Sequence, residues 1–401
     1  MPTKIYIALP ILNESENLGA FMHCLQIQDY RDFELVACVN QPESWWDEDQ
    51  KLASCEDNQK SISYLENIED LKITLFDRSS KGQGWDHKKY GVGWARKLCM
   101  DYCAEQADEN DIILCVDADT TFKEGYFSSI VESLKKHPKA VVLSIPYYHP
   151  LCENQENNRN ILRYEIYMRY YALNIWRIQN KYSFTALGSA IAVPVWAYKR
   201  IGGITPHKSG EDFYFLQKLR KFGDIITWNP EMVYPSSRYS DRVFFGTGPA
   251  LIKGRNGDWS SYPIYHYSLF DEIQNSYTSF DDLFTTDLDF PMKSFLDSQF
   301  GSKIWHEPLR KNSKSLKQFI KSITDKVDAL RILQYLKSEQ QKRNDNNESN
   351  LIEFMEKFYP ETSAFLDLNE LSFDKSTIED LNNLRDFMQL QEAKYQNNDW
   401  K

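Results

Sequence analysis

The chain of 401 residues has no long apolar run and no excess of basic residues. No segment approaches the ~18 consecutive apolar residues of a membrane-spanning helix, and the first residues do not form the apolar stretch of a signal peptide. A formal net charge of −11 argues against a duplex nucleic-acid partner, which needs a basic surface. It also gives no support for broad adhesion to anionic membranes, although local basic patches would allow peripheral membrane association.

The cysteines show no pairing pattern. There are seven, an odd number, without C-x-x-C or the Cys/His spacing of a zinc site. Cys38 and Cys115 lie inside apolar runs, where cysteine serves as a small hydrophobic residue. A reducing compartment is the simpler interpretation, and we expect a soluble cytoplasmic protein with no transmembrane segment.

The most informative stretch is an apolar run that ends in two carboxylates. Residues 112–116 are apolar and are followed by Asp117-Ala118-Asp119. Such a run suits a central strand that is covered on both faces. Asp117 and Asp119 would point the same way at its carboxyl end, where a divalent cation such as Mg²⁺, Mn²⁺ or Ca²⁺ relieves their repulsion. In the alternative, both residues cap backbone N–H groups in a turn.

Strand and helix patterns alternate through the first part of the chain. Strand patterns cover 4–9, 33–39, 71–76, 112–116 and 140–145, and helical patterns cover 88–105 and 125–136. The first strand is expected to end at Pro10. This alternation predicts an α/β fold with a mostly parallel sheet, whose ligands gather at the carboxyl ends of the strands. Pro10, Asn40, Asp77 and Asp117 would all lie along that edge.

A second carboxylate pair, Glu211-Asp212, stands at a predicted helix start. A structural role explains it well, because Ser209 as N-cap with Asp212 at N3 is nearly a capping box, and acidic residues favour this end of a helix. A catalytic role becomes more attractive beside the separate Asp117/Asp119 pair. One pair would then hold a cation and the other would abstract a proton.

Several other motifs are ambiguous. Gly91-x-Gly93-x-x-Arg96 could bring backbone and guanidinium to a phosphate, but close helix packing explains it equally well. His266 and His149 could complete a metal shell, although a structural role suits each. In the segment 236–257, predicted to be an irregular loop, three cations could clamp a diphosphate or be solvated charges. These cations are Arg238, Arg242 and Lys253.

The sequence predicts that the C-terminal part is helical. A long helix is predicted at 153–180, and apolar residues from Leu316 to Leu333 fall on one helical face. Ser376-x-x-Glu379 has the pattern of a capping box. We expect a catalytic domain at 1–267 and a helical region at 268–401.

Taken in order, seven segments resemble the family 2 glycosyltransferases with the GT-A fold. They are A-L-P-I-L-N-E-S-E-N-L at 8–18, F-E-L-V-A-C-V-N at 33–40, G-V-G-W-A-R-K at 91–97, D-A-D at 117–119, G-S-A-I-A-V at 188–193, G-G-I at 202–204 and G-E-D at 210–212. The resemblance implies a GT-A-type, mostly parallel sheet flanked by helices, to which a helical C-terminal appendage is added here.

The resemblance also implies an activity and a site. A metal-dependent enzyme would move one sugar from a nucleotide-sugar donor, UDP- or GDP-linked, to a saccharide or lipid-linked saccharide, with inversion. Asp117 and Asp119 would hold Mg²⁺ or Mn²⁺, Asp212 would be the base, and Glu211 would bind or orient the acceptor. The nucleotide-sugar pocket would include Pro10, Asn13, Glu14, Asn40, Arg96, Asp117 and Ala118.

Two departures and two alternatives accompany this interpretation. Asn40-Gln41 stands where many members have an Asp pair, and the Q-x-x-R-W motif of processive synthases is missing. A sugar nucleotidyltransferase should have a Gly/Arg/Lys-rich signature after the first strand, where this chain has Pro10-Ile11-Leu12-Asn13-Glu14. A non-catalytic nucleotide- or carbohydrate-binding protein with a helical interaction module is the alternative from another class.

Overall fold

The structure is a computed structural model that describes residues 3–86, 89–240 and 246–398. The chain divides into two units. Unit 1 comprises residues 1–161, 184–259 and 396–401, and unit 2 comprises residues 162–183 and 260–395. All the strands in the described part of the chain belong to unit 1. The predicted domain boundary after residue 267 stays a prediction.

Unit 1 is built on two sheets. The strands are β1 (Ile5–Ile11), β2 (Phe33–Asn40), β3 (Ile73–Arg78), β4 (Ile112–Cys115), β5 (Thr120–Thr121), β6 (Val142–Ser144), β7 (Ile191–Pro194), β8 (Ile225–Ile226) and β9 (Tyr234–Pro235). The main sheet has the order β3-β2-β1-β4-β7-β6-β8, and β5 pairs with β9. All pairs in the main sheet are parallel except those of β7, which runs antiparallel to β4 and β6.

The helices follow in chain order. They are α1 (Ser15–Gln26), α2 (Leu52–Glu66), α3 (Val92–Gln106), α4 (Tyr126–Lys136), α5 (Gln155–Arg177), α6 (Val195–Arg200), α7 (Glu211–Phe222), α8 (Thr247–Arg255), α9 (Tyr267–Thr278), α10 (Lys293–Phe300), α11 (Glu307–Asn312), α12 (Leu316–Lys326), α13 (Ala329–Gln340), α14 (Asn347–Phe358) and α15 (Ile378–Asn398). The predicted α/β class, with a mostly parallel sheet flanked by helices and helices toward the C-terminus, is confirmed. Within the described residues, no helix has the length and apolar character needed to cross a bilayer.

In the described residues, the main sheet places the carboxyl ends of six parallel strands on one edge: β1, β2, β3, β4, β6 and β8. β1, β2 and β4 are buried apolar strands, as their composition predicts for a central position. β1 continues through Pro10 to Ile11, so the predicted end at Pro10 is wrong. β4 pairs with β1 only as far as Ala8, so Pro10 has just one neighbouring strand, β2, where it lies opposite Cys38. The missing proline N–H is tolerated because Pro10 lacks a partner on the β4 side.

Two local predictions need correction, and a third cannot be compared with the described residues. The segment 236–257 contains α8, whose Pro249 falls in the first turn, where a missing N–H costs nothing. The apolar face from Leu316 to Leu333 is split between α12 and α13, because Asp328 accepts a bond from the Arg331 N–H and starts a new helix. The predicted start of α3 at residue 88 lies outside the described residues.

Unit 2 is helical and has buried charges as well as an apolar core. Phe319 and Ile323 of α12 are fully buried. Arg169 of α5 forms ion pairs of 2.6 Å with Glu165 and 2.8 Å with Glu392, and all three side chains are at most 3% exposed. Burial of such charges is tolerated only when they are paired and hydrogen-bonded. α15 begins with a reciprocal cap between Thr377 and Asp380, one residue later than the predicted capping box.

Candidate active site

Arg96 lies at the centre of the first group of polar side chains on the sheet edge. It projects from α3 and is 2% exposed. Its Nη2 donates to Asp117 Oδ1 at 2.8 Å, its Nε donates to Glu211 Oε1 at 3.1 Å, and its Nη1 donates to the Gly188 carbonyl oxygen at 3.0 Å. Burial lowers the pKa of Arg96, but the charges of Asp117 and Glu211 outweigh it and raise the pKa well above its usual value. One guanidinium therefore joins the two carboxylate pairs that the sequence singles out.

Gly188 is required by the space around Arg96. A Cβ at this position would lie 2.8 Å from Arg96 Nη2 and 3.6 Å from Asp117 Oδ2. Gly188 precedes β7, the antiparallel strand, whose amino end therefore lies at the same edge as the carboxyl end of β4. The reversed strand brings a backbone carbonyl to the guanidinium, and a side chain at position 188 would require the guanidinium to shift.

Arg238 is the centre of a second group of polar side chains, which includes Asp119. Its Nη2 donates to both carboxylate oxygens of Glu14 at 2.6 Å. The same Nη2 and its Nε donate to Asp119 Oδ2 at 3.0 Å and 3.2 Å. The Arg238 side chain is 32% exposed, whereas that of Glu14 is 5% exposed. The predicted site residues Glu14 and Asp119 are thus brought together by a cation from the segment that follows β9.

The carboxylate oxygens of Asp117 and Asp119 are ligand atoms that suit a hard divalent cation. Burial and the neighbouring charge of Asp117 raise the pKa of Asp119, although Arg238 opposes the shift. No group of three or more His, Cys, Asp or Glu residues suited to a metal occurs in the described ranges. Mg²⁺ commonly takes one or two carboxylates and completes its shell with water and substrate phosphates. Ala118, between the two aspartates, is buried.

His266 and His149 make other bonds. His266 belongs to unit 2, where its Nδ1 lies 2.7 Å from Ser268 Oγ and its Nε2 lies 3.1 Å from Glu353 Oε2. A metal-ligand role for His266 would require one of these bonds to break, and it stays a prediction. His149 is fully buried, with its Nε2 3.4 Å from Thr247 Oγ1. Arg242 lies outside the described residues.

The start of α7 differs from the predicted capping box. Gly210, with φ of 76°, is the N-cap residue, and no side chain caps the helix there. Ser209 as N-cap with Asp212 at N3 is therefore wrong, because the helix starts one residue later and Asp212 falls at N2. Glu211 and Asp212 consequently need another explanation than capping.

Burial raises the pKa of both carboxylates at the start of α7. Glu211 is 3% exposed, and burial, opposed by the charge of Arg96, raises its pKa to about 7. Burial also raises the pKa of Asp212, while the Phe213 N–H, which donates to Asp212 Oδ1 at 2.8 Å, acts in the opposite direction. Carboxylates with raised pKa values are better proton acceptors near neutral pH than ordinary ones.

Two of the residues predicted to bind the nucleotide are Asn13, which follows β1, and Asn40, the last residue of β2. Asn13 has a positive φ of 55°, and its N–H donates to Asn58 Oδ1 at 2.8 Å. Asn40 Nδ2 donates to the Ile11 carbonyl at 2.9 Å. Asn40 Oδ1 is buried and has no hydrogen-bond partner among the described residues. A buried acceptor without a partner is costly unless a ligand satisfies it.

Two residues near Asn40, Arg78 and Trp85, were not predicted from the sequence. Arg78, the last residue of β3, is the register partner of Asn40, and its guanidinium carbon lies 5.1 Å from the Trp85 ring centroid. Arg78 Nε and Trp85 Nε1 are both buried and lack partners in the described part of the chain. The available signal was Arg78 itself, which directly follows Asp77 at the sheet edge. Three unsatisfied polar atoms therefore lie at the ends of β2 and β3 and in the segment after β3.

The glycine motif before α3 has a packing explanation. A Cβ at Gly93 would lie 2.1 Å from the carbonyl oxygen of His207, so the helix approaches that backbone closely. Gly91 precedes the helix with φ of 100°. The close contact supports helix packing as the reason for Gly93, whereas phosphate binding by this motif stays a prediction.

The family model "Glycosyl transferase family group 2" matches residues 112–247. The matched segment starts at β4, ends at the first residue of α8, and includes Asp117, Asp119, Glu211, Asp212 and Arg238. This match confirms the resemblance to family 2 glycosyltransferases and the enzyme class that it implies. No curated protein matches the chain significantly.

Two solved structures illustrate what the chain is similar to. TarS of S. aureus in complex with UDP-GlcNAc is 14% identical, with 83% of this chain and 82% of that chain covered, at a TM-score of 0.40. The mannosyltransferase PcManGT of Pyrobaculum calidifontis in complex with GDP-Man and Mn²⁺ is 13% identical, with 98% and 87% covered, at a TM-score of 0.40. At these identities and scores, neither likeness identifies a donor for this chain.

Proposed function

We propose that this chain transfers one sugar from a nucleotide-diphospho-sugar to an acceptor hydroxyl in a metal-dependent, inverting reaction. The observation that carries the proposal is the buried bridge through Arg96, which holds Asp117 and Glu211 at one edge of the sheet. A binding site for a diphosphate and a site for proton abstraction would then adjoin. UDP- and GDP-linked sugars are the donor classes to test, and a saccharide or lipid-linked saccharide is the acceptor.

Asp117 and Asp119 would hold Mg²⁺ or Mn²⁺, which supplies charge stabilisation for the departing diphosphate without proton transfer. Pro10, Asn13 and Asn40 would contact the nucleotide. The unsatisfied Asn40 Oδ1 could accept a hydrogen bond from a base N–H or a ribose hydroxyl. Asn40 can donate as well as accept, so it need not select uridine in the way that a carboxylate would.

Asp212 would accept the proton of the acceptor hydroxyl. The hydroxyl oxygen then forms a bond to the anomeric carbon as the bond from that carbon to the diphosphate oxygen breaks, and a single in-line displacement inverts the centre. Burial raises the pKa of Asp212 and so strengthens it as a base. Glu211, held by Arg96, would orient the acceptor. The catalytic region would be 1–267, followed by helices at 268–401.

A donor panel tests the proposal directly. The protein is mixed with Mn²⁺ and individual nucleotide sugars, and slow donor hydrolysis and thermal shifts are measured. We expect at least one donor to stabilise the protein in a metal-dependent way. The absence of any response, with or without metal, would contradict the proposal.

Two variants separate binding from chemistry. Asp119→Ala is expected to abolish metal-dependent nucleotide binding, because it removes a proposed metal ligand. Asp212→Asn should bind donor and metal like the wild type but lose transfer. Normal metal–nucleotide binding by Asp119→Ala would show that the site assignment is wrong, and unchanged function in Asp212→Asn would favour a non-catalytic binding protein.

A further inference from the structure

Arg238 occupies one carboxylate oxygen of Asp119, a proposed ligand of the cation in the donor site. Two of its N–H groups converge on Asp119 Oδ2, and its Nη2 also contacts both oxygens of Glu14. A guanidinium with this geometry neutralises carboxylates through charge-assisted bonds. We infer that Arg238 is a displaceable counter-ion: it stands in for the divalent cation in the donor-free protein and yields Asp119 to that cation when the donor binds. This inference rests on the proposed function.

The burial of the three side chains shows why the donor-free site needs a cation. Glu14 is 5% exposed, and the side chain of Asp119 is 19% exposed. Two carboxylates that are largely removed from water repel each other and lose hydration, so a nearby positive charge stabilises both. Arg238 supplies that charge from the solvent side, with 32% of its side chain exposed.

Exposure also makes Arg238 replaceable, in contrast to Arg96. The Arg96 guanidinium is buried and donates to three separate acceptors, one of them a backbone carbonyl. Arg238 follows β9 and donates to carboxylate oxygens of Glu14 and Asp119. When it leaves them, it can be rehydrated, and a divalent cation can take over the charge of Asp119.

After displacement, the Arg238 guanidinium could bind a second kind of partner. A guanidinium fork matches the oxygens of a phosphate as well as those of a carboxylate. A donor diphosphate next to Asp119 therefore offers Arg238 a new partner at the moment that it loses the old one. Arg238 would oppose binding of the metal alone but favour binding of a metal-bound diphosphate.

These opposite effects define the experiment, which uses the full chain without an acceptor. Binding of Mn²⁺ alone is followed by the electron paramagnetic resonance signal of free Mn²⁺. Binding of UDP and GDP at saturating Mn²⁺ is then measured by calorimetry. Arg238→Gln is expected to bind Mn²⁺ alone about tenfold more tightly, which corresponds to about 1.4 kcal/mol, and to bind the better nucleotide about tenfold more weakly.

The matched control is Arg220→Gln. Arg220 also pairs with an acidic side chain, Asp224, at 2.7 Å, but at the far end of α7 from Glu211. It should leave both affinities unchanged. Arg238→Lys retains a positive charge without the fork, and we expect its Mn²⁺ affinity to lie between those of the wild type and Arg238→Gln. Circular dichroism melting confirms that each variant is folded.

The outcomes separate this inference from the proposed function. If the wild type binds Mn²⁺ and a nucleotide but Arg238→Gln binds Mn²⁺ no more tightly, the counter-ion role is wrong and the proposed function stands. Tighter Mn²⁺ binding together with unchanged nucleotide binding would overturn the transfer of Arg238 to the diphosphate. If the wild type binds neither Mn²⁺ nor any nucleotide, the proposed function itself fails.

Discussion

Two arginines in unit 1 perform the same operation in different surroundings. Each joins one aspartate of Asp117-Ala118-Asp119 to a glutamate from a distant part of the chain. The Arg96 guanidinium, 2% exposed, joins Glu211 to Asp117, whose side chain is 36% exposed. Arg238, with a third of its side chain exposed, joins Asp119 to Glu14. The hydrogen-bond lengths are similar, so the two centres differ in how far water can reach the guanidinium.

This difference determines what each pair contributes. Removal of one partner from a buried ion pair leaves an uncompensated charge in a medium that solvates it poorly. Near the surface, water and salt screen the remaining charge, and an ion pair adds little to stability. The Arg96 centre therefore supports the architecture of the site, whereas water or another cation can reach Glu14 and Asp119 when the partly exposed Arg238 guanidinium leaves them.

The largest effect should come from Arg96→Ala. It leaves Asp117 and Glu211 without their common cation and the Gly188 carbonyl without its donor, so the free energy of unfolding should fall by about 3–5 kcal/mol. Chemical denaturation at pH 7 measures the loss. A loss no larger than that of Arg238→Gln would show that burial does not distinguish the two centres.

The pH dependence of stability tests the interior centre without removing the arginine. Glu211 has a pKa of about 7 in the folded protein against an ordinary value of 4.5, so the folded state retains a proton that the unfolded state loses. Its stabilising contribution is complete below about pH 4.5 and disappears as the pH rises to about 7. Glu211→Gln should flatten this decline by at most about 3 kcal/mol.

Denaturation curves across this pH range check the prediction. Glu132→Gln, at an exposed position of α4, is the matched control and should keep the wild-type profile. An unchanged profile for Glu211→Gln would mean that Glu211 ionises normally despite its burial.

A single methyl group should disturb the same centre by a smaller amount. The Cβ introduced by Gly188→Ala would lie 2.8 Å from Arg96 Nη2, so the guanidinium has to move from its three acceptors. Crowding of this kind costs about 1–3 kcal/mol. Thermal denaturation measures the loss, and Gly19→Ala, where a Cβ meets no atom within 4 Å, is the control.

Arg238→Gln should have the smallest effect on the fold. Because a third of the Arg238 side chain is exposed, water can enter when the guanidinium is removed and partly solvate Glu14 and Asp119, so the unfolding free energy should fall by about 1 kcal/mol, less than after Arg96→Ala. The same denaturation experiment as for Arg96→Ala gives a direct ratio of the two changes. A loss as large as that of Arg96→Ala would indicate that Arg238 is a structural anchor.

The sequence predicted the sheet better than it predicted the contacts. Apolar runs that end at polar residues identified β1, β2 and β4, because a buried strand has to be apolar and its end has to reach water. The pattern could not show that Pro10 would be tolerated, since that depends on where β4 ends. It also could not reveal α8, because glycine and arginine weaken the helical periodicity of that segment.

The sequence indicated which residues could belong to the site, but not which of them bind each other. Asp117, Asp119, Glu211, Asp212 and Arg96 stand out through their positions next to predicted strands and helices. That Arg96 binds Asp117 and Glu211, or that Arg238 binds Glu14, depends on tertiary distances that no local pattern encodes. The N-cap of α7 was misjudged for a related reason: Gly210 adopts a positive φ, and this displaces Ser209 from the capping position.

The bond between Arg238 and Glu14 joins residues that are 224 positions apart, and the bond between Arg96 and Glu211 joins residues 115 positions apart. Contacts between such distant residues require closure of long loops and slow the folding of the chains that depend on them. The complete set of polar contacts can form only after nearly all of unit 1 has been synthesised. We therefore expect the ability to bind a nucleotide to appear late in folding, after the central strands are protected from hydrogen exchange.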